Sequence, residues 1–203
     1  MFTRLLPTDK RPWYWSIDAH VGVSFCVWIL QVDGLAIPPF DQHPTGSQAL
    51  LQVGLTTDAW REWVRLVLDR LEAVRHAIAP QEHAAAAITA HNPTTLWPGA
   101  PAVREALEPL WQRYERWEGK AWEWQQKSRK SLPPKYQRDL WRALKPYHAR
   151  LRTLRVYVVD YPLPVRYAAP PVSLLLGSGL ADQPALFSVW MALGAEELAG
   201  SVP

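Results

Sequence analysis

The chain has 203 residues, 48% of them apolar and 20% charged, with a formal net charge of +3. That balance excludes intrinsic disorder and supplies enough apolar surface for a sizeable core, so residues 1–203 read as a single α+β domain. One cysteine, Cys26, excludes a disulfide scaffold, and the most apolar run, Val21 to Leu30, is shorter than the ~20 residues a membrane-spanning helix needs. The opening MFTRLLPTDKRPWYW has no signal-type apolar stretch, and the expectation is a cytoplasmic protein without membrane contact. Arg outnumbers Lys sixteen to six, proline reaches nineteen and Asn92 is the only asparagine, a bias that suits a thermophile or a GC-rich genome.

From the N-terminus, Trp13 to Ile17 is short and aromatic and reads as a strand. From His20 to Val32, Val21, Val23, Phe25, Val27 and Ile29 alternate with His20, Gly22, Ser24, Cys26 and Trp28, the period of a second strand. Pro38-Pro39 and DQHPTGS break the pattern, and Ala49 to Leu55 reads as a third. A helix starts at Thr57 or Asp58: Trp60, Val64, Val67, Leu71, Val74 and Ile78 step by four and three onto one stripe, and Pro80 stops it. Residues 80–101 form a connector with an Ala-rich turn.

Val103, Leu107, Leu110, Tyr114, Trp117, Ala121 and Trp124 then repeat the same stepping, which predicts a second long helix folded back on the first. SLPP at 131–134 ends it. Leu140, Leu144, Tyr147, Leu151 and Leu154 predict a third helix, with Pro146 as a kink or break. Val156 to Tyr161 and Val172 to Leu176 read as strands, and a last helix capped near Asp182 carries Ala185, Leu186, Val189, Trp190, Leu193 and Leu198. The order predicts an α+β fold. Its terminal strands pair in one mixed or antiparallel sheet, around a central helical hairpin or three-helix region, with a C-terminal helix.

The positive charge is confined to one segment. Residues 1–119 carry ten basic against thirteen acidic side chains, and residues 156–203 one against four. Residues 120–155 carry eleven against two, net +9. Trp111, Tyr114, Trp117, Trp122, Trp124, Tyr136, Trp141, Tyr147 and Tyr157 interleave with those cations. Nucleic-acid binding needs cations for phosphates and often flat side chains for unpaired bases. The candidate nucleic-acid or partner-binding residues are therefore Lys120, Trp122, Lys127, Arg129, Lys130, Lys135, Arg138, Trp141, Arg142 and Lys145. Trp122 and Trp141 fall off the helix seams, which makes them the aromatics expected to be free for contact. Tyr114, Trp117 and Trp124 lie on the seam and read as core. A basic helix face is also often merely solvated, or balanced by acids elsewhere in the chain.

Other constellations are weaker. Asp18-x-His20 and Asp41-x-His43 each set a carboxylate and an imidazole two residues apart, a start for a metal-dependent hydrolase, but neither has a third ligand in sequence. Glu118-x-Lys120 matches a nuclease-like fragment but falls inside a helical pattern. Cys26 has no base or cation beside it and reads as an inert buried thiol. Gly177-Ser178-Gly179 lacks the lysine and remaining glycine of phosphate-binding loops and reads as an ordinary strand-to-helix turn. Asp160 has no visible partner. No cofactor motif and no catalytic residue emerges. The sequence points to a non-enzymatic binding or assembly component of a larger complex, of nucleoprotein, phage or mobile-element type. Protein partners or self-association are expected, with nucleic acid as the alternative partner.

Overall fold

The aromatic start forms a strand, β1 (Tyr14–Asp18). The computed structural model describes residues 14–18, 20–34, 36–40, 48–76, 92–130, 141–151, 153–159, 161, 163, 165–180 and 183–201. Within these the chain packs as two compact units, one of residues 21–121 and one of residues 1–20 with 122–203.

The helical unit begins at Val21. The alternating run expected as a strand is helix α1 (Val21–Asp33). Gly22, Val23, Ser24, Phe25, Cys26, Val27, Ile29, Leu30 and Asp33 are all buried, so the segment is enclosed on every side. A short, continuously apolar run carries no polar stripe to distinguish the two periods. A helix pairs most of its backbone groups internally and so accepts that enclosure without strand neighbours. The third expected strand is likewise helical, α2 (Ala49–Gln52), entered through Gln48 in the left-handed region at φ 53°. Buried Asp33 ties the two together. Its carboxylate accepts the Leu50 N–H at 3.0 and 3.2 Å, and its carbonyl accepts the Gln48 N–H at 2.8 Å.

Helix α3 (Thr57–His76) follows the expected stripe: Trp60, Val64, Val67 and Leu71 are buried, joined by Trp63 and Leu68. Thr56 caps it, its hydroxyl oxygen accepting the Ala59 N–H at 3.2 Å, rather than Thr57 or Asp58. Ile78 and Pro80 lie outside the described residues. After a 3₁₀ turn at Pro93–Leu96 comes α4 (Pro101–Lys130), whose Val103, Leu107 and Tyr114 are buried as the seam predicts. The third member of the three-helix centre is α1. Its Phe25 ring meets Trp63 of α3 edge-on at 6.0 Å, and Trp111 and Tyr114 of α4 at 5.2 and 5.5 Å.

The second unit holds a four-stranded sheet of order β1-β2-β4-β3, with β2 (Thr153–Val159), β3 (Arg166–Ala169) and β4 (Ser173–Gly177). β1, β2 and β4 are mutually parallel and β3 is antiparallel to β4, so the chain's two ends do share one mixed sheet. β3 was not anticipated from the sequence. The third long helix is cut short: helix at 141–144 gives way to a 3₁₀ turn at Lys145–Tyr147 and then to β2, so Leu154 lies on a strand. Pro146 lacks the N–H that a continuing helix needs. Helix α5 (Pro184–Ser201) lays Phe187, Met191, Ala195, Leu198 and Ala199 over Leu154, Val156, Val158, Leu174 and Leu176. Tyr157, Val159 and Leu175, which alternate with these along β2 and β4, are buried too, as expected of parallel strands enclosed on both faces. No helix among the described residues is long and apolar enough to cross a membrane.

The Trp60 indole N–H donates to the Cys26 carbonyl at 2.7 Å in the buried core. Trp60→Phe leaves that acceptor short of a partner and the site underfilled. It should lower unfolding free energy by about 2 kcal/mol or more, read from urea denaturation of the intact chain.

Candidate nucleic-acid and partner interface

The basic segment begins on α4. Lys120, Trp122, Lys127, Arg129 and Lys130 all lie on its C-terminal half. The side chains from Trp117 to Lys130 lie outside the described residues. Lysines and arginines in the last turn complement the helix dipole, which accounts locally for Lys127, Arg129 and Lys130. Lys135 and Arg138 lie outside the described residues.

Beyond them, Trp141 to Arg150 forms a compact basic knob built from a helical turn, the 3₁₀ turn and a reverse turn. Arg142, Lys145 and Arg150 are exposed. Trp141 departs from expectation: it is half-buried, packed with Tyr147 against the Leu144–Leu151–Phe187 core, and the Lys145 ammonium stands 5.4 Å from its ring centroid. The His148 Nδ1 lies 2.6 Å from the Lys145 carbonyl oxygen, which closes the turn beneath the lysine. Of the other aromatics read as interleaving, Trp111, Tyr114 and Tyr157 are buried. In the helical unit, Trp60, Trp63, Trp97 and Trp111 are all core. These four tryptophans serve packing.

Several acids are paired with arginines of their own unit. On α3, Arg65 forms a two-pronged bond to Glu62 at 2.6 and 2.8 Å and a further pair with Asp69, while Arg61 lies 3.7 Å from Asp58. The Arg65 hydrogen bond holds the Glu62 carboxyl below its ordinary range. In the sheet unit, Glu197 of α5 is 3.4 Å from Arg166 of β3.

Asp18 is the last residue of β1, and His20 lies beyond the strand, so the two do not share a strand face. Asp41, His43 and Asp160 lie outside the described residues. Among the described residues, no three His, Cys, Asp or Glu side chains gather closely enough to hold a metal. Glu118 and Lys120 sit within α4, on helix and not strand. Burial pushes the Cys26 thiol well above its ordinary pKa, so it is neutral and unreactive. The Gly177-Ser178-Gly179 turn is committed internally. The Ser178 hydroxyl donates to the Tyr161 carbonyl at 2.8 Å, the Gly179 N–H to the same oxygen at 3.2 Å, and the Gly177 N–H to the Val165 carbonyl at 3.0 Å. Those donors are spent on the chain itself rather than on an anion.

One surface was not foreseen. Of the residues assigned to the apolar face of the last helix, Leu198 is buried, but Val189 is 53% exposed and Leu193 45%, with Leu186 and Trp190 half-buried beside them. The inward face is Phe187, Met191, Ala195 and Leu198. From Pro184 to Ala195 no residue is charged, so both sides of the helix are apolar and spacing alone could not say which would face the sheet. Against known proteins, the chain matches no family model, no curated protein and no solved structure.

A Cβ at Gly177 would stand 2.3 Å from the Leu163 carbonyl oxygen and 2.8 Å from a Val165 methyl. Gly177→Ala should therefore destabilise the chain by about 1–3 kcal/mol in urea or thermal unfolding, because the backbone has to shift.

Proposed function

We propose that the chain is a non-enzymatic binding and assembly component of a nucleoprotein complex, its basic segment 120–155 meeting the phosphates of a nucleic acid. The observation that carries this reading is the unbalanced charge: eleven basic against two acidic side chains in one segment, while Asp58, Glu62 and Asp69 pair within α3 and Glu197 pairs with Arg166 of β3. Such an excess draws a polyanion, and phosphate contacts gain free energy by releasing condensed counterions. The outward face of α5, with Val189 and Leu193, suits a protein partner or another copy of the chain. Neither role calls for a cofactor.

Fluorescence anisotropy with labelled oligonucleotides across a salt series tests the reading. Micromolar or tighter binding is expected, with log affinity falling by about 0.7–0.9 per phosphate contact for each log unit of salt. Charge reversal at Lys127, Arg129 and Lys130 together should weaken binding and flatten that slope. Affinity unchanged by the reversal, or no binding at low salt, would sink the nucleic-acid partner and leave an acidic protein surface as the target.

The sheet favours one alternative. Asp18 closes β1 at the carboxyl end of three adjacent parallel strands, where open sheets of this kind bind ligands. The alternative is a metal-dependent hydrolase drawing on Asp18, His20, Asp41 and His43. Metal that co-purifies with the chain and is lost in His20→Ala would support it, whereas a metal-replete preparation that retains none would end it.

A further inference from the structure

The knob at Trp141 to Arg150 bears on how a nucleic acid is read. Base recognition by stacking needs an aromatic ring whose flat face can receive an unpaired base. Phosphate recognition needs only cations held outward. Trp141 is already engaged twice: it packs against the buried core of the sheet unit, and the Lys145 ammonium lies 5.4 Å from its ring centroid. An ammonium over an indole is attracted by the ring's electron-rich face, which restricts an otherwise freely rotating lysine. The turn that carries Lys145 is closed by the His148 Nδ1 contact to its carbonyl. Arg142 lies one helical turn before Lys145 and Arg150 follows within the same knob, both exposed.

Resting on the reading of the basic segment above, we infer that this knob recognises the phosphodiester backbone alone, with Trp141 as a positioning residue that mounts Lys145 rather than as a stacking surface. Single-stranded and duplex nucleic acid are then bound alike, without base preference. Lys145 and Arg150 supply up to two contacts, a salt slope of about −1.8 on duplex and about −1.4 on a single strand from the knob itself.

The test uses the full chain with single-stranded and duplex oligonucleotides of equal phosphate number. Lys145→Gln should reduce the salt slope by about one contact, 0.9 on duplex and 0.7 on single strand. Trp141→Leu, which removes the ring but keeps an apolar contact with the core, should weaken both substrates in the same direction as Lys145→Gln. Combining the two should add little to either. Trp141→Phe keeps a ring under the ammonium, leaves the core contact nearly intact, and should restore most of the lost affinity on both substrates. The inference is overturned if Trp141→Phe or Trp141→Leu lowers single-strand affinity by about tenfold with duplex affinity and both slopes unchanged, the signature of a lost stacking contact. It is equally overturned if the unaltered chain strongly prefers single strands. Failure of both substrates to bind at low salt would instead remove the nucleic-acid reading on which it rests.

Discussion

Strand β1 pairs in parallel with β2, Tyr14 against Thr153 and Asp18 against Tyr157, so the start of the chain is held beside a segment that follows all of α1 to α4. A parallel pair requires a crossover, and here that crossover contains the whole helical region. The entropy of closing so long a loop grows only slowly with its length, which is why an insertion of this size is compatible with a stable sheet. β2 and β4 then form the interior of the sheet, apolar on both faces, and α5 is held by what those strands present to it. Removal of the β1–β2 pairing would leave β2 as an edge strand with an unpaired ladder.

The tryptophans and the cations, which look like one feature in the sequence, are two different things. An indole fills a large volume and carries a single N–H that must be satisfied when buried. In the helical unit those N–H groups donate to backbone carbonyls of Cys26, Pro93 and Ala100 at 2.7, 2.7 and 3.1 Å. These tryptophans are therefore spent on packing. Trp141 belongs to the same logic, its ring packed inward with a lysine over it. Among the described residues, what faces outward includes the charge of the knob, at Lys145 and Arg150, and the apolar side of α5.

Periodicity served well wherever one face of an element is dry and the other wet. The α3 stripe Trp60, Val64, Val67 and Leu71 and the α4 stripe Val103, Leu107 and Tyr114 are buried where spacing put them. It served poorly where both faces are enclosed. The α1 run is apolar at every register, so β-branched content suggested a strand where a helix forms. In α5 the same ambiguity concealed which face meets the sheet, and Val189 and Leu193 are exposed as a result. β3 is only four residues long, Arg166 to Ala169, and three of them are half-buried, too little pattern to stand out.

The sequence by itself determined the α+β class, the long amphipathic helices and the concentration of positive charge between Lys120 and Arg155. These depend on local spacing and composition, which each residue carries wherever it lies. Only the tertiary structure decided that α1 is a helix, that the Lys145 ammonium stands over the Trp141 ring, that the donors of the Gly177–Gly179 turn are taken by Tyr161 and Val165, and that α5 leaves an apolar face outward. Each of those outcomes depends on which neighbours arrive from distant parts of the chain to cover a side chain or accept its hydrogen bond.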